Sequence, residues 1–217
     1  MEVSGHRFDH EHFRNMPIIG ILRGMESGNL LFILDAFYRA GLSTIEITMN
    51  SPEAEEQIRA AVENFSDRLN IGAGTVRNPN ELTRALEAGA SFIVSPNVNE
   101  AVITRCQERQ IPIFSGALTP TEVYQAHHLG ADMVKVFPAS VMGPDYFKSL
   151  KGPLESIPLI ATGGIDEHNM IDYLKAGAFG FGMGSTLFDK KVMVEKKWDD
   201  LSHQMRKYAA ILKGWRG

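Results

Sequence analysis

A lysine stands in the middle of Met133-Val134-Lys135-Val136-Phe137-Pro138, a run of β-type residues closed by a proline. Strand side chains alternate, so Met133, Lys135 and Phe137 share one face and Val134 and Val136 the other. With both faces covered, Lys135 is drawn out of water and its pKa falls. A free amine near neutral pH can attack a carbonyl and form a Schiff base. The structural alternative is a lysine that snorkels to water or pairs with a carboxylate. A matching carboxylate exists in Glu46, held between Ile45 and Ile47. Partial desolvation there raises its pKa towards a useful acid/base range. Even a buried Glu46–Lys135 ion pair would remain a functional candidate, because such pairs stabilise poorly against apolar replacements.

The elements that must position these two groups alternate along the chain. Strands are expected at Pro17–Arg23, Thr44–Met49, Asn70–Thr75, Ser91–Ser95, Ile111–Ser115, Met133–Phe137, Ile157–Thr162 and Phe179–Met183. Helices are expected at 27–40, from Ser51-Pro52 onward, and at 78–88, 99–109, 119–129, 145–150 and 166–176, with a charged amphipathic helix over 192–212. Ser27 and Ser51 are read as N-caps, with Pro52 at a first helical position. Ala-Gly or Leu-Gly punctuation recurs at 40–41, 88–89, 129–130 and 176–177. Eight strand-helix units imply a parallel sheet and fit a closed (β/α)8 barrel, a TIM barrel, better than the rival open sheet. A short N-terminal helix or tail precedes it and a long C-terminal helix ends it. No linker or composition break interrupts the chain, so residues 1–217 are read as a single domain.

In such a barrel the site lies at the C-terminal ends of the strands. Arg23, Glu46, Thr48, Thr75, Lys135 and Thr162 all fall there on inward positions. One buried polar residue is usually a satisfied core group, but six at one rim would each need a buried partner. Gly163-Gly164 and Gly184-Ser185 follow the last two strands, where backbone amides can approach a phosphate.

Composition limits the alternatives. The 217 residues carry a net charge of −4 without a long basic run, so nothing points to nucleic acid. No apolar run reaches membrane-spanning length, and Met1–Arg7 lacks an apolar signal core, so a cytoplasmic location is the default. The single cysteine, Cys106, is read as a packing residue. His6, His10 and His12 sit in a polar lead-in, while His127, His128, His168 and His203 form no strand-end cluster with carboxylates. No metal site and no cofactor are expected.

Six stretches together resemble a known family. They are Ile45-Glu46-Ile47-Thr48, Gly72-Ala73-Gly74-Thr75-Val76, Ser95-Pro96-Asn97, Lys135-Val136-Phe137-Pro138-Ala139, Thr162-Gly163-Gly164-Ile165 and Gly184-Ser185. In this order they resemble the 2-keto-3-deoxy-6-phosphogluconate (KDPG) aldolases, a family that includes 4-hydroxy-2-oxoglutarate (KHG) aldolases and 6-phosphogalactonate aldolases. The resemblance covers roughly residues 16 to 190. It implies a class I, metal-independent aldolase, commonly a homotrimer, acting on phosphorylated keto-deoxy sugar acids and yielding pyruvate. It further implies Lys135 as the Schiff-base lysine, Glu46 as the acid/base, and Gly163, Gly164, Gly184 and Ser185 as the phosphate-binding backbone. Arg23, Thr75 and Thr162 resemble residues around the pyruvyl end; Thr48, Asn50, Pro96 and Phe137 complete the expected substrate contacts. Where the phosphogluconate enzymes usually carry arginine then threonine, this chain has Asn50 and Ser51. Asn50-Ser51-Pro52, Ser95-Pro96-Asn97 and Gly143-Pro144-Asp145-Tyr146 resemble the phosphogalactonate branch, although Thr48 stands where that branch often has proline. Cleavage of KDPG to pyruvate and glyceraldehyde 3-phosphate, extending to 4-hydroxy-2-oxoglutarate, is therefore weighed against three alternatives: a phosphogalactonate aldolase, a non-catalytic phosphate-binding barrel, and a phosphosugar isomerase or synthase on the same fold.

Overall fold

Strands that must be buried on both faces close most economically into a barrel wrapped by helices. A computed structural model describes residues 7–216. Its strands are β1 (Ile18–Leu22), β2 (Thr44–Thr48), β3 (Asn70–Gly74), β4 (Ile93–Val94), β5 (Ile113–Ala117), β6 (Met133–Val136), β7 (Leu159–Thr162) and β8 (Gly180–Met183). They pair in sequence order and in parallel, and β1 pairs with β8, closing a (β/α)8 TIM barrel. The helices are α1 (His10–Asn15), α2 (Leu30–Arg39), α3 (Ala54–Phe65), α4 (Pro79–Glu87), α5 (Glu100–Glu108), α6 (Pro120–His128), α7 (Ala139–Met142), α8 (Pro144–Lys151), α9 (Met170–Lys175), α10 (Lys190–Val194) and α11 (Trp198–Arg216). None of the described helices is long and apolar enough to cross a membrane.

The outward strand residues Ile45, Ile47, Val134, Val136, Leu159 and Ala161 are fully buried in one apolar layer with the helices. Inside the barrel a second cluster joins Ile19, Val94, Phe114 and Ile160 to Phe92 and to two residues of the N-terminal segment, Phe8 and Phe13. Phe13 stacks on Phe114 at 5.3 Å and Phe8 meets Phe92 edge-on at 5.2 Å. Asn70, at the start of β3, donates to Asp9 O and accepts from Asp9 N. The polar lead-in thus includes a short helix capped by Asp9; Phe13 in that helix and Phe8 just before its cap plug the bottom of the barrel. Of its three histidines, His6 lies outside the described residues.

Several expected boundaries move. Arg23, Thr75 and Phe137 stand one residue beyond their strands, and Thr75 takes a left-handed φ of 55°. The fourth strand shortens to Ile93–Val94, the fifth moves to Ile113–Ala117, and the seventh and eighth begin later than expected. Ser51 caps no helix: its hydroxyl is engaged by Thr48 Oγ1 and by the amide of Gly24, each at 2.8 Å, and α3 begins only at Ala54. Ser27 caps nothing either, since its hydroxyl donates to Glu53, and residues 27–29 form a 3-10 turn before α2. The helix expected at 166–176 begins at Met170, because Asp166 and Asn169 close a turn with their side chains. The helix expected at 145–150 is preceded by the separate α7. The C-terminal helix divides into α10 and α11 around Lys196, whose φ is 54°.

Candidate active site

The two central groups are brought to one cavity by strands on different sides of the barrel. Glu46 comes from β2 and Lys135 from β6, and the cavity between them is also lined by Ile21, Thr162 and Gly182 above an apolar floor of Ile19, Val94, Phe114 and Ile160. The cavity holds about 10 Å3, close to what one ordered water needs. Lys135 is 7 % exposed and Glu46 1 %. No ion pair joins them within 4.0 Å among the described residues. Both Glu46 carboxylate oxygens and Thr162 Oγ1 are buried without a hydrogen-bond partner. Three orphaned oxygens around one cavity are costly for folding alone and mark a site made to receive polar atoms.

Burial dominates the electrostatics. It raises the Glu46 carboxyl from its ordinary 4.5 to about 6, against the opposing pull of Lys135 and Arg23. It lowers the Lys135 amine from its ordinary 10.5; Glu46 opposes that fall and Arg23 reinforces it. A carboxyl that changes charge near pH 6 can both take and return a proton, and an amine with a lowered pKa is more often the neutral nucleophile. The Phe137 ring lies over the amine, 5.7 Å from centroid to Nζ, and is 47 % exposed at the mouth.

The strand packing depends on missing side chains. A Cβ on Gly74 of β3 would collide with the Glu46 carboxylate, and one on Gly182 of β8 would crowd Thr162 Oγ1. Gly116, the register partner of Lys135 on β5, lies against the Pro96 carbonyl. These glycines are site residues that sequence reasoning did not single out as such; their signal was glycine inside strand patterns, which marks close approach.

Around the mouth, Arg23 is exposed and its Nη2 lies 3.4 Å from Thr75 Oγ1. Asn50 is exposed in the turn after β2, and Pro96 is half-buried after β4. Thr48 is fully buried, and its hydroxyl is paired with Ser51. Of the expected substrate contacts only Thr162 lines the cavity itself; Thr48 is set into the loop scaffold.

The last two strands end in loops with anchored carbonyls and open amides. Gly163 O accepts Ser140 N at 3.1 Å, Gly164 O accepts Asn169 Nδ2 at 2.8 Å, and Gly184 O accepts Leu187 N and Phe188 N at 2.9 and 3.0 Å. A trans peptide points its N–H opposite its C=O, so each anchor also aims the next amide. The amides of Gly164, Ile165 and Ser185 donate to no acceptor among the described residues. Gly163 and Gly164 have φ of 94° and 72°, which side-chain-bearing residues rarely adopt. Successive open amides in such turns form an anion-binding concavity. Asn169 is a further site element the sequence reading missed, its only signal being the Asp166-x-x-Asn169 spacing. No group of three or more His, Cys, Asp or Glu side chains among the described residues could hold a metal ion.

The chain is similar to known proteins in sequence and in fold. Residues 10–204 match the family model for KDPG and KHG aldolases. The chain is 37 % identical over 182 residues to the 2-dehydro-3-deoxy-6-phosphogalactonate aldolase of Escherichia coli, covering 83 % of this chain and 89 % of that one. It is 32 % identical to the 2-dehydro-3-deoxy-phosphogluconate aldolase of Haemophilus influenzae, over 94 % of this chain and 96 % of that one. Among solved structures, the KDPG aldolase of Legionella pneumophila, with pyruvate captured as a covalent carbinolamine, superposes with a TM-score of 0.84 at 25 % identity, over 90 % and 95 % of the two chains.

Proposed function

Because the chain belongs to the KDPG and KHG aldolase family and is an aldolase, we propose that it cleaves 2-keto-3-deoxy-6-phospho sugar acids through a Schiff base on Lys135. The observation that carries this reading is a buried amine that shares a cavity with a buried carboxylate and forms no ion pair with it.

The neutral amine of Lys135 attacks the C2 ketone of the substrate and gives a carbinolamine. The carbinolamine takes up a proton and loses water, leaving a protonated imine that serves as an electron sink. Glu46, ionised above about pH 6, takes the proton from the C4 hydroxyl, directly or through one water. The C4–O bond becomes a carbonyl as the C3–C4 bond breaks. Its electrons pass into the imine and form an enamine, and glyceraldehyde 3-phosphate departs. Glu46 returns its proton to C3, and hydrolysis of the resulting imine frees pyruvate and the amine. Arg23, Thr75 and Thr162 bind the carboxylate and keto end, with Phe137 and Pro96 walling the mouth. The amides of the Gly163-Gly164 and Gly184-Ser185 loops hold the phosphate. Thr48 acts through Ser51, which fixes the loop carrying Asn50.

We take the phosphogluconate substrate to be accepted and its C4 epimer to be tolerated. Relatives bearing both names support this breadth, as does a neutral Asn50 where a charged fork would be more selective. Cleavage of 4-hydroxy-2-oxoglutarate to pyruvate and glyoxylate would follow the same steps. Incubation with pyruvate and borohydride, followed by mass spectrometry, is expected to place one reduced adduct on Lys135. Absence of an adduct, or its appearance on another lysine, would overturn the reading.

A further inference from the structure

A phosphate site made of two loops needs something that fixes their spacing. The candidate is buried in the C-terminal helix. Tyr208 of α11 is 2 % exposed, and its hydroxyl lies 3.0 Å from Glu167 Oε2 and 3.3 Å from Thr186 O. Glu167 follows Gly164 by three residues in the loop after β7, and Thr186 follows Ser185 directly in the loop after β8. One phenol therefore touches both loops. Lys207, the neighbour of Tyr208, donates to Glu167 Oε1 at 2.6 Å and, as the largest influence, holds that carboxyl down at about 2. Glu167 is thus an ionised acceptor, and the single hydroxyl proton is shared between it and the weaker carbonyl acceptor.

The loop after β7 is also braced internally. Asn169 Oδ1 accepts Asp166 N while its Nδ2 donates to Gly164 O. A displacement of Glu167 is thereby carried to the Gly164 peptide, whose orientation aims the Ile165 amide. On the other side, Thr186 O belongs to the Thr186–Leu187 peptide, whose Leu187 N–H donates to Gly184 O and so holds the peptide that carries the Ser185 amide. We propose that Tyr208 is a positioning residue of the phosphate site, its hydroxyl clamping the two loops at the separation that lets their amides converge on one phosphate. The proposal rests on the aldolase reading and deepens it: α11, remote from Lys135, takes part in recognition of the phosphate end alone.

Tyr208→Phe tests this, because it keeps the packed ring and removes only the clamp. The KM for the 6-phospho substrate is expected to rise about five-fold, the effect of one net hydrogen bond, while kcat stays near that of the parent. The inhibition constant of inorganic phosphate against pyruvate release is expected to rise by the same factor. The pyruvate concentration that half-saturates borohydride trapping on Lys135 should not move, since pyruvate carries no phosphate. Glu167→Gln keeps an oxygen acceptor for the phenol and is expected to weaken phosphate inhibition less than Tyr208→Phe does. Unchanged phosphate inhibition in Tyr208→Phe, an equal loss of pyruvate trapping, or a larger effect of Glu167→Gln would each overturn the proposal. Failure of the aldolase reading looks different, because the parent protein itself would then trap no pyruvate.

Discussion

Glu46 and Lys135 impose opposite demands on the molecule at neutral pH. Each is charged only at a cost in the cavity, yet the chemistry needs one to lose its proton and the other to exchange it. The native pKa of Glu46, about 6, lies above the ordinary 4.5, so the folded state holds the proton more tightly than the unfolded one. The stability this gives is complete below pH 4.5 and is lost as pH rises through 6. A shift of this size corresponds to about 2 kcal/mol at pH 8. Glu46→Gln should therefore melt higher than the parent at pH 8 and at nearly the same temperature at pH 4.5, as read by thermal melts at the two pH values. The same variant should lose about 10²–10⁴-fold in kcat/KM, the usual contribution of general acid–base catalysis. In the parent, kcat/KM should fall as pH drops through about 6, and that limb should vanish in the glutamine variant. A parent profile flat from pH 5 to 8 would remove Glu46 from the proton transfers.

Among the elements, the proposed roles divide: Glu46 and Lys135 stand on strands, and the proposed selector Asn50 stands in the turn after one of them. Asn50 is exposed just beyond β2, two residues past Thr48 and held by Ser51, which bonds both Thr48 and the Gly24 amide beside Arg23. Arginine at position 50 would add a charged donor next to Arg23 and sharpen carboxylate recognition. The ratio of kcat/KM for the two C4 epimers is expected to lie near unity in the parent and to change several-fold in Asn50→Arg. A sharply selective parent whose ratio ignores that substitution would assign selection elsewhere. The same loops show where sequence was legible. Alternation in Thr44–Thr48 and Met133–Val136 gave strand type, order and the inward faces of Glu46 and Lys135, because period-2 patterning is local. Strand ends were not legible at Arg23, Thr75 and Phe137, since leaving the ladder depends on what the neighbouring strand offers. Ser27 and Ser51 looked like caps because their sequence context is right; distant partners, Glu53 and the Gly24 amide, took their hydroxyls instead. Phe8 and Phe13, apolar residues set in a polar segment, gave too little periodicity to reveal a plug.

Across the whole barrel, stability and chemistry occupy opposite ends. The floor is aromatic: Phe8, Phe13, Phe92 and Phe114 form contacts with centroids 5.2 to 5.9 Å apart. The mouth is polar, with orphaned oxygens at Glu46 and Thr162. Ile19, Val94, Phe114 and Ile160 lie between, shared by the plug cluster and the cavity floor. Substitutions at the two ends should therefore move stability in opposite directions. Glu46→Gln relieves an orphaned carboxylate and raises the melting temperature at pH 8, at the expense of turnover. Phe13→Ala, which empties a site only 1 % exposed, should cost about 3–5 kcal/mol and lower the melting temperature by roughly 10 °C. Since Phe13 does not line the cavity, its variant should keep the parent's pyruvate trapping and kcat at temperatures where it remains folded. Melting curves paired with trapping yields at 15 °C decide the matter. A Phe13→Ala protein that is stable but traps no pyruvate would mean that the plug sets the height of the cavity floor, and that the two ends of the barrel are mechanically coupled.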